Sequence, residues 1–234
     1  MRVGRFNTAP DAPLPDAPLP DVPLQDPAIR EREGAILMDN VLAPDEARSF
    51  RRGAAKKGPG STLLIACGAL AREIIQLIEL NRWTHLDVAC LPAKLHNEPE
   101  KIPAAVREKI RAARDDYDLI RVVYADCGTG GLLDAVCADE GVERIDGPHC
   151  YAFFSGTSAF EARGDADMTA FFLTDYLVRH FEKLIWEGFG LDRRADMRDF
   201  IFGNYERVIY LAQIEDPALE KQARAIAERL ALTY

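Results

Sequence analysis

From Ser61 onward the chain alternates short apolar runs with stretches of helical periodicity, and this alternation restricts the fold more than any other feature. "TLLIACG" is a buried-strand run, and "ALAREIIQLIELN" after it repeats apolar residues at helical spacing. "HLDVACLPAKL" is a second strand candidate, followed by the amphipathic "EPEKIPAAVREKIRAARDDY" with a charged outer face. "LIRVVYADC" is the third strand, "GGLLDAVCADEG" a helix that Gly141 ends, and "VERIDG" a short fourth strand. Strands that alternate with helices predict a doubly wound α/β fold: a mainly parallel sheet of four or five strands with helices on both faces.

Beyond Gly156, "DMTAFFLTDYLVRHFEKLIWEGFG" is aromatic-rich and reads as mostly helical, while "DMRDFIFGNYERVIYLAQI" ends in a strand-like run. "DPALEKQARAIAERLAL" is a last amphipathic helix, with Asp216 as its cap and Pro217 at its first position. Residues 1–33 contain the repeat "APDAPLPDAPLPDVPLQDPA", whose proline density blocks helix and sheet and predicts a flexible or extended arm. Residues 34–60 are expected to hold a short strand ("AILM"), a helix starting near "APDEARSF" and a linker; residues 61–234 are expected to form a single α/β domain.

Bulk properties narrow the function classes. A formal charge of −9 opposes nonspecific nucleic-acid binding, and the one basic run, Arg48 to Lys57, is short. No apolar stretch reaches the roughly 18 residues that a membrane span needs, and the N-terminus lacks the apolar centre of a signal peptide. A cytoplasmic protein is therefore expected, and its five cysteines read as free thiols or metal ligands rather than a disulfide framework.

In a parallel α/β sheet, ligands bind beyond the carboxyl ends of the strands. Cys67 ends the first predicted strand, His96 follows the second, Cys127 ends the third, and His149 and Cys150 follow the fourth. Cys67, His96, Cys127 and Cys150 are thus the candidate metal ligands, for zinc or another transition metal of similar softness, with His149 and Asp126 as further ligands or their supports. Three protein ligands would leave a position open for catalysis on a small molecule; four would suit a structural ion. The turn "CGTGG" offers a second use. Backbone N–H groups at a helix start favour anions, so Gly128, Gly130 and Gly131, with Ser155 and Gly156 of "FFSGTS", are candidate ligand-binding residues. The same dipole favours a thiolate, which would make Cys127 a catalytic nucleophile without metal. Buried cysteines also pack as small hydrophobes, the reading preferred for Cys90 and Cys137. The aromatic-rich helices around Phe171 to Phe189 either complete the core or pack a homo-oligomer.

Taken in order, "LIACGAL", "LPAKLHNEPEKI", "YADCGTGG" and "PHCYAFFSG" resemble the motifs of domain-of-unknown-function family 1638, over about residues 62–215. Leucine-histidine-asparagine followed by proline is the most specific of them. Ala125 stands where the family's third motif has glycine, and His149 stands where its fourth has aspartate. The resemblance therefore favours Cys150 over His149 as a site residue. It also implies an association with corrinoid-dependent methyl-transfer systems, in which a zinc site activates a thiol or accepts a methyl group. The proline arm is not part of the family pattern.

Overall fold

The computed structural model describes residues 50–51 and 60–234. The proline arm and most of the 34–60 segment lie outside the described residues.

Five strands form the main sheet: β1 (Phe50–Arg51), β2 (Thr62–Cys67), β3 (Leu86–Leu91), β4 (Leu119–Val123) and β5 (Glu143–Arg144), in the spatial order β1-β3-β2-β4-β5. Strands β2 to β5 run parallel, in register Ala66↔Cys90 and Ala66↔Val123 about the central strand. Strand β1 closes one edge antiparallel to β3, with Phe50 opposite Cys90. At Phe50 this replaces the expected helix, because hydrogen bonds to β3, remote in sequence, set its conformation. The strands are short apolar runs buried on both faces: Leu63, Ile65, Val88, Ala89 and Val122 are all almost wholly inaccessible.

The helices around the sheet follow the anticipated spacing. Helix α1 (Ala71–Leu80) buries Ala71, Ile75 and Ile78. Helix α2 (Ile102–Ala113) buries Ile102, Val106, Ile110 and Ala113, one stripe at i, i+4, i+8 and i+11. Full burial of each branched side chain contributes about 1.5–3 kcal/mol before conformational entropy is counted. Helix α3 (Leu132–Glu140) ends at Gly141, whose positive φ accommodates the left-handed cap.

The chain then forms α4 (Ala152–Ser155), α5 (Thr157–Arg163), β6 (Ala170–Thr174), α6 (Asp175–Arg179), a π-helical turn (Glu182–Trp186), α7 (Met197–Phe202), β7 (Arg207–Leu211) and α8 (Pro217–Arg229). Strands β6 and β7 pair in parallel as a separate two-stranded sheet, Phe172 opposite Ile209. The "AFFLT" run of β6 corrects the mostly helical reading of that stretch: a short run buried between two layers carries no helical period of its own. Asp216 caps α8 as expected, accepting from the N–H groups of Ala218 and Leu219. One hydrophobic core includes residues from both sheets, Ile65 and Val122 together with Leu173, Phe202 and Leu219.

In the parallel strands the chain passes from β2 to β3 on one side and then returns to β4 on the other. The crevice beyond the ends of β2 and β4 is therefore the topological switch point, where α/β sheets bind ligands.

Candidate metal centre

Four loops meet at this crevice, and backbone hydrogen bonds join two of them. After β2, Cys67 caps the 3-10 turn Gly68–Leu70, its sulfur accepting from the Ala69 N–H at 3.4 Å. A Cβ on Gly68 would lie 3.0 Å from the Leu91 carbonyl oxygen, so glycine lets the exit of β3 pass close by. After β3, the 3-10 segment Ala93–Asn97 carries His96. After β4, the Asp126 N–H donates to the Gly147 carbonyl and the Cys127 N–H to the Pro148 carbonyl. These two bonds bind the Cys127 loop to the loop after β5, which bears His149 and Cys150.

The result is a compact cluster. Ligand atoms of His96, Cys127 and Cys150 all lie within 4.8 Å of one another. The two sulfurs are 3.0 Å apart, and both cysteines are buried and free of disulfides. His96 Nδ1 lies 3.1 Å from the Ala93 carbonyl oxygen. A carbonyl only accepts, so this bond places the proton on Nδ1 and leaves the Nε2 lone pair for a ligand, the usual support of a metal-bound histidine.

Cys67 stands outside the group of three. Its sulfur is 3.7 Å from His96 Nδ1, on the protonated side of the ring, and is turned back to cap its own turn. His149 also stands apart. Its Nδ1 accepts the Tyr151 N–H at 3.4 Å, and its ring stacks on Tyr151 with centroids 4.0 Å apart. Burial, followed by the neighbouring His96, pushes His149 down to about 4, so it remains neutral.

The thiols respond to crowding. The Cys150 thiol and burial push Cys127 well above the ordinary cysteine range. Burial pulls His96 downward, but negative charge on Cys67 and Cys127 outweighs it and holds His96 well above the usual imidazole range. These two directions compete, because His96 rises only where a neighbouring thiol is ionised. The upward push on Cys127 prevails, since two sulfurs in contact in an apolar site cannot both carry charge without a cation between them.

The glycine-rich turn is closed on its own carboxylate. Asp126 accepts from Thr129 Oγ1 at 2.7 Å, Gly131 N at 2.9 Å and Gly130 N at 3.1 Å, and the Gly131 N–H above all holds its carboxyl below the usual range. Two of the N–H groups expected to receive an anion are thereby satisfied, while Gly128 backs onto Pro99. Ser155 and Gly156 are exposed at the break between α4 and α5. Cys90 and Cys137 are buried, as the packing reading expects; burial, then Cys67, pushes Cys90 up to about 12.

Asn97 is a contributor for which sequence reasoning gives no role. Its side-chain amide donates to the Leu184 carbonyl at 2.9 Å, tying the His96 segment to the π-helical turn 87 residues away. Its adjacency to His96 in the leucine-histidine-asparagine motif is the one available signal. A groove of about 610 Å³ between α2 and α3 lies elsewhere; Arg107, Arg111, Leu132 and Val136 line it, and none of the three cluster residues does.

No helix of the described residues is long and apolar enough to cross a membrane. Comparison with curated proteins and with solved structures finds no match. The sequence model described as "Protein of unknown function (DUF1638)" matches residues 90–234, a span that starts later and ends later than the motifs suggested, containing His96, Cys127 and Cys150 but not Cys67. The chain belongs to this family of proteins of unknown function, DUF1638.

Proposed function

We propose that His96, Cys127 and Cys150 bind one transition-metal ion, and that the protein uses it for metal-assisted chemistry on a small molecule. The observation that carries this reading is the convergence of one imidazole and two thiols from three separate loops to within 4.8 Å. Ligand atoms around a tetrahedral zinc ion are separated by roughly 3.3–3.8 Å, so the observed spacing needs only small side-chain adjustments. The donor set is soft to borderline, which favours zinc over magnesium or calcium. Two thiolates and a neutral imidazole would balance a divalent charge, removing the conflict between the Cys127 and His96 protonation states.

Three protein ligands leave one coordination position, the pattern of a catalytic rather than a structural zinc site. The ion would act there as a Lewis acid, and group transfer, methyl transfer included, is the reaction class we assign. His96 is oriented by the Ala93 carbonyl, and Cys127 and Cys150 are held by the two bonds that join their loops.

Elemental analysis of untagged protein purified without chelator tests this reading. Near-stoichiometric zinc is expected in the wild type, with loss in Cys127→Ser and Cys150→Ser and retention in Cys67→Ser. Wild-type protein without metal after anaerobic handling refutes the site. Loss in Cys67→Ser as well would make Cys67 a fourth ligand and the ion structural.

A further inference from the structure

Tyr124 is wholly buried immediately after β4, yet its hydroxyl has no hydrogen-bond partner among the described residues. Leaving a buried hydroxyl unpaired costs about 1–3 kcal/mol, which phenylalanine at the same position would not incur. A buried orphan of this kind requires an explanation, and a missing water or ligand is the usual one. Its surroundings point to the metal centre. The Tyr124 ring lies nearly parallel to the His96 imidazole, with an interplanar angle of 17° and centroids 6.3 Å apart. Cys67, Cys150, Cys90 and Cys127 are the ionisable groups neighbouring it. No thiol of the described residues lies within hydrogen-bonding reach of it, so none of these residues supplies its partner.

We infer that the Tyr124 hydroxyl is the hydrogen-bond donor for a small anionic ligand held at the metal's remaining coordination position. This rests on the metal reading above. A phenol is protonated at neutral pH, so this hydroxyl is available as a donor. A fixed donor on a ring that stacks with His96 favours a ligand atom with a free lone pair and negative charge. The anion would take the fourth position, complete the coordination begun by His96, Cys127 and Cys150, and satisfy the orphan hydroxyl.

Cobalt(II)-substituted protein and azide provide the test. Wild type and Tyr124→Phe should bind cobalt with the same stoichiometry and the same thiolate-to-cobalt absorption bands, because the hydroxyl is not a ligand. Azide titration of the visible spectrum should give a dissociation constant at least roughly tenfold weaker in Tyr124→Phe, as expected for loss of a hydrogen bond to a charged group. Equal azide affinity in the two proteins, with cobalt bound to both, overturns the role of Tyr124 and leaves the metal site standing. Absence of thiolate-to-cobalt bands in the wild type overturns both. The metal-free proteins supply a second measurement. Tyr124→Phe should be at least as resistant to urea as the wild type, since it loses an unpaired hydroxyl; a variant that fails to fold would mean that the protein itself satisfies the hydroxyl, which also overturns the inference.

Discussion

Replacing Asn97 with alanine should loosen the segment that presents His96, and the structure gives the size of the effect. Asn97 Nδ2 donates to the Leu184 carbonyl at 2.9 Å, and Leu184 is 4% exposed. The substitution removes one hydrogen bond, a net contribution of about 0.5–1.5 kcal/mol, and leaves a carbonyl in a largely buried turn short of a partner, costing about 1–3 kcal/mol. The two overlap, and Asn97 is only half-buried, so water recovers part of the loss. A net destabilisation of about 2 kcal/mol is expected, or a melting temperature lower by roughly 4–8 °C for a domain of this size. Gly188 offers an independent approach to the same contact: a Cβ there would lie 2.2 Å from the Leu184 oxygen and 2.8 Å from Asn97 Nδ2. Gly188→Ala should therefore displace the same amide. Urea denaturation of both single variants and the double variant measures the coupling, and because one contact is broken twice the double variant should be less destabilised than the sum. A change below about 0.5 kcal/mol in Asn97→Ala, or strict additivity in the double variant, would refute the tie. If the tie holds, zinc affinity should fall by roughly 10–100-fold in Asn97→Ala, the usual result of disturbing a ligand's support.

Two further outcomes follow from groups outside the centre. Burial raises the Glu73 carboxyl above 4.5, with Asp175 also raising it and Arg72 and Arg179 opposing, and its Oε2 has no hydrogen-bond partner among the described residues. The unfolded chain then releases this proton first, so the wild type loses stability relative to Glu73→Gln as pH rises from about 4.5 through the folded-state value. Glu73→Gln should thus be the more stable at pH 7, with the advantage vanishing at pH 4 in urea titrations; an advantage independent of pH would exclude ionisation as its cause. Asp216→Ala should cost about 1 kcal/mol by removing the acceptor for the Ala218 and Leu219 N–H groups, and Asp216→Asn should recover most of it in the same assay.

The four parallel strands were legible because each is a short apolar run separated from the next by a helix whose burial stripe and terminators are local in sequence. Strands β1 and β6 were not: β1 is only two residues long, too short to show a period, and β6 runs directly into helix α6 within one aromatic-rich stretch. Phe50 pairs with Cys90, and Ala170 with Arg207. At the site, placing one polar residue after each parallel strand was enough to bring His96, Cys127 and Cys150 together. It was not enough to separate Cys67 from them. That depends on a side-chain direction, set by the bond from the Ala69 N–H to the Cys67 sulfur. The carboxylate that fills the glycine-rich turn was equally hidden, since Asp126 read as a further ligand or a ligand's support and not as the acceptor for the turn's own N–H groups.

Backbone geometry at Cys127 bears on whether that residue is a ligand or a packing side chain. Its φ of 49° lies in the left-handed region, which costs a residue with a Cβ about 1–2 kcal/mol relative to the right-handed one. Glycine, which follows it immediately, would take the same conformation without that penalty. A packing role gives little reason to place a side chain there, because burial of one small thiol offsets the strain only in part. The conformation is fixed from outside the residue: the N–H groups of Asp126 and Cys127 are both committed to the loop after β5. Those same bonds carry Cys150 to within 3.0 Å of the Cys127 sulfur. Strain, loop pairing and thiol contact thus occur together where two sulfurs lie beside His96. Strained residues held by surrounding structure concentrate where function requires a particular side chain. The proposed cation shared by the two thiols would account for the thiol at this position better than packing alone.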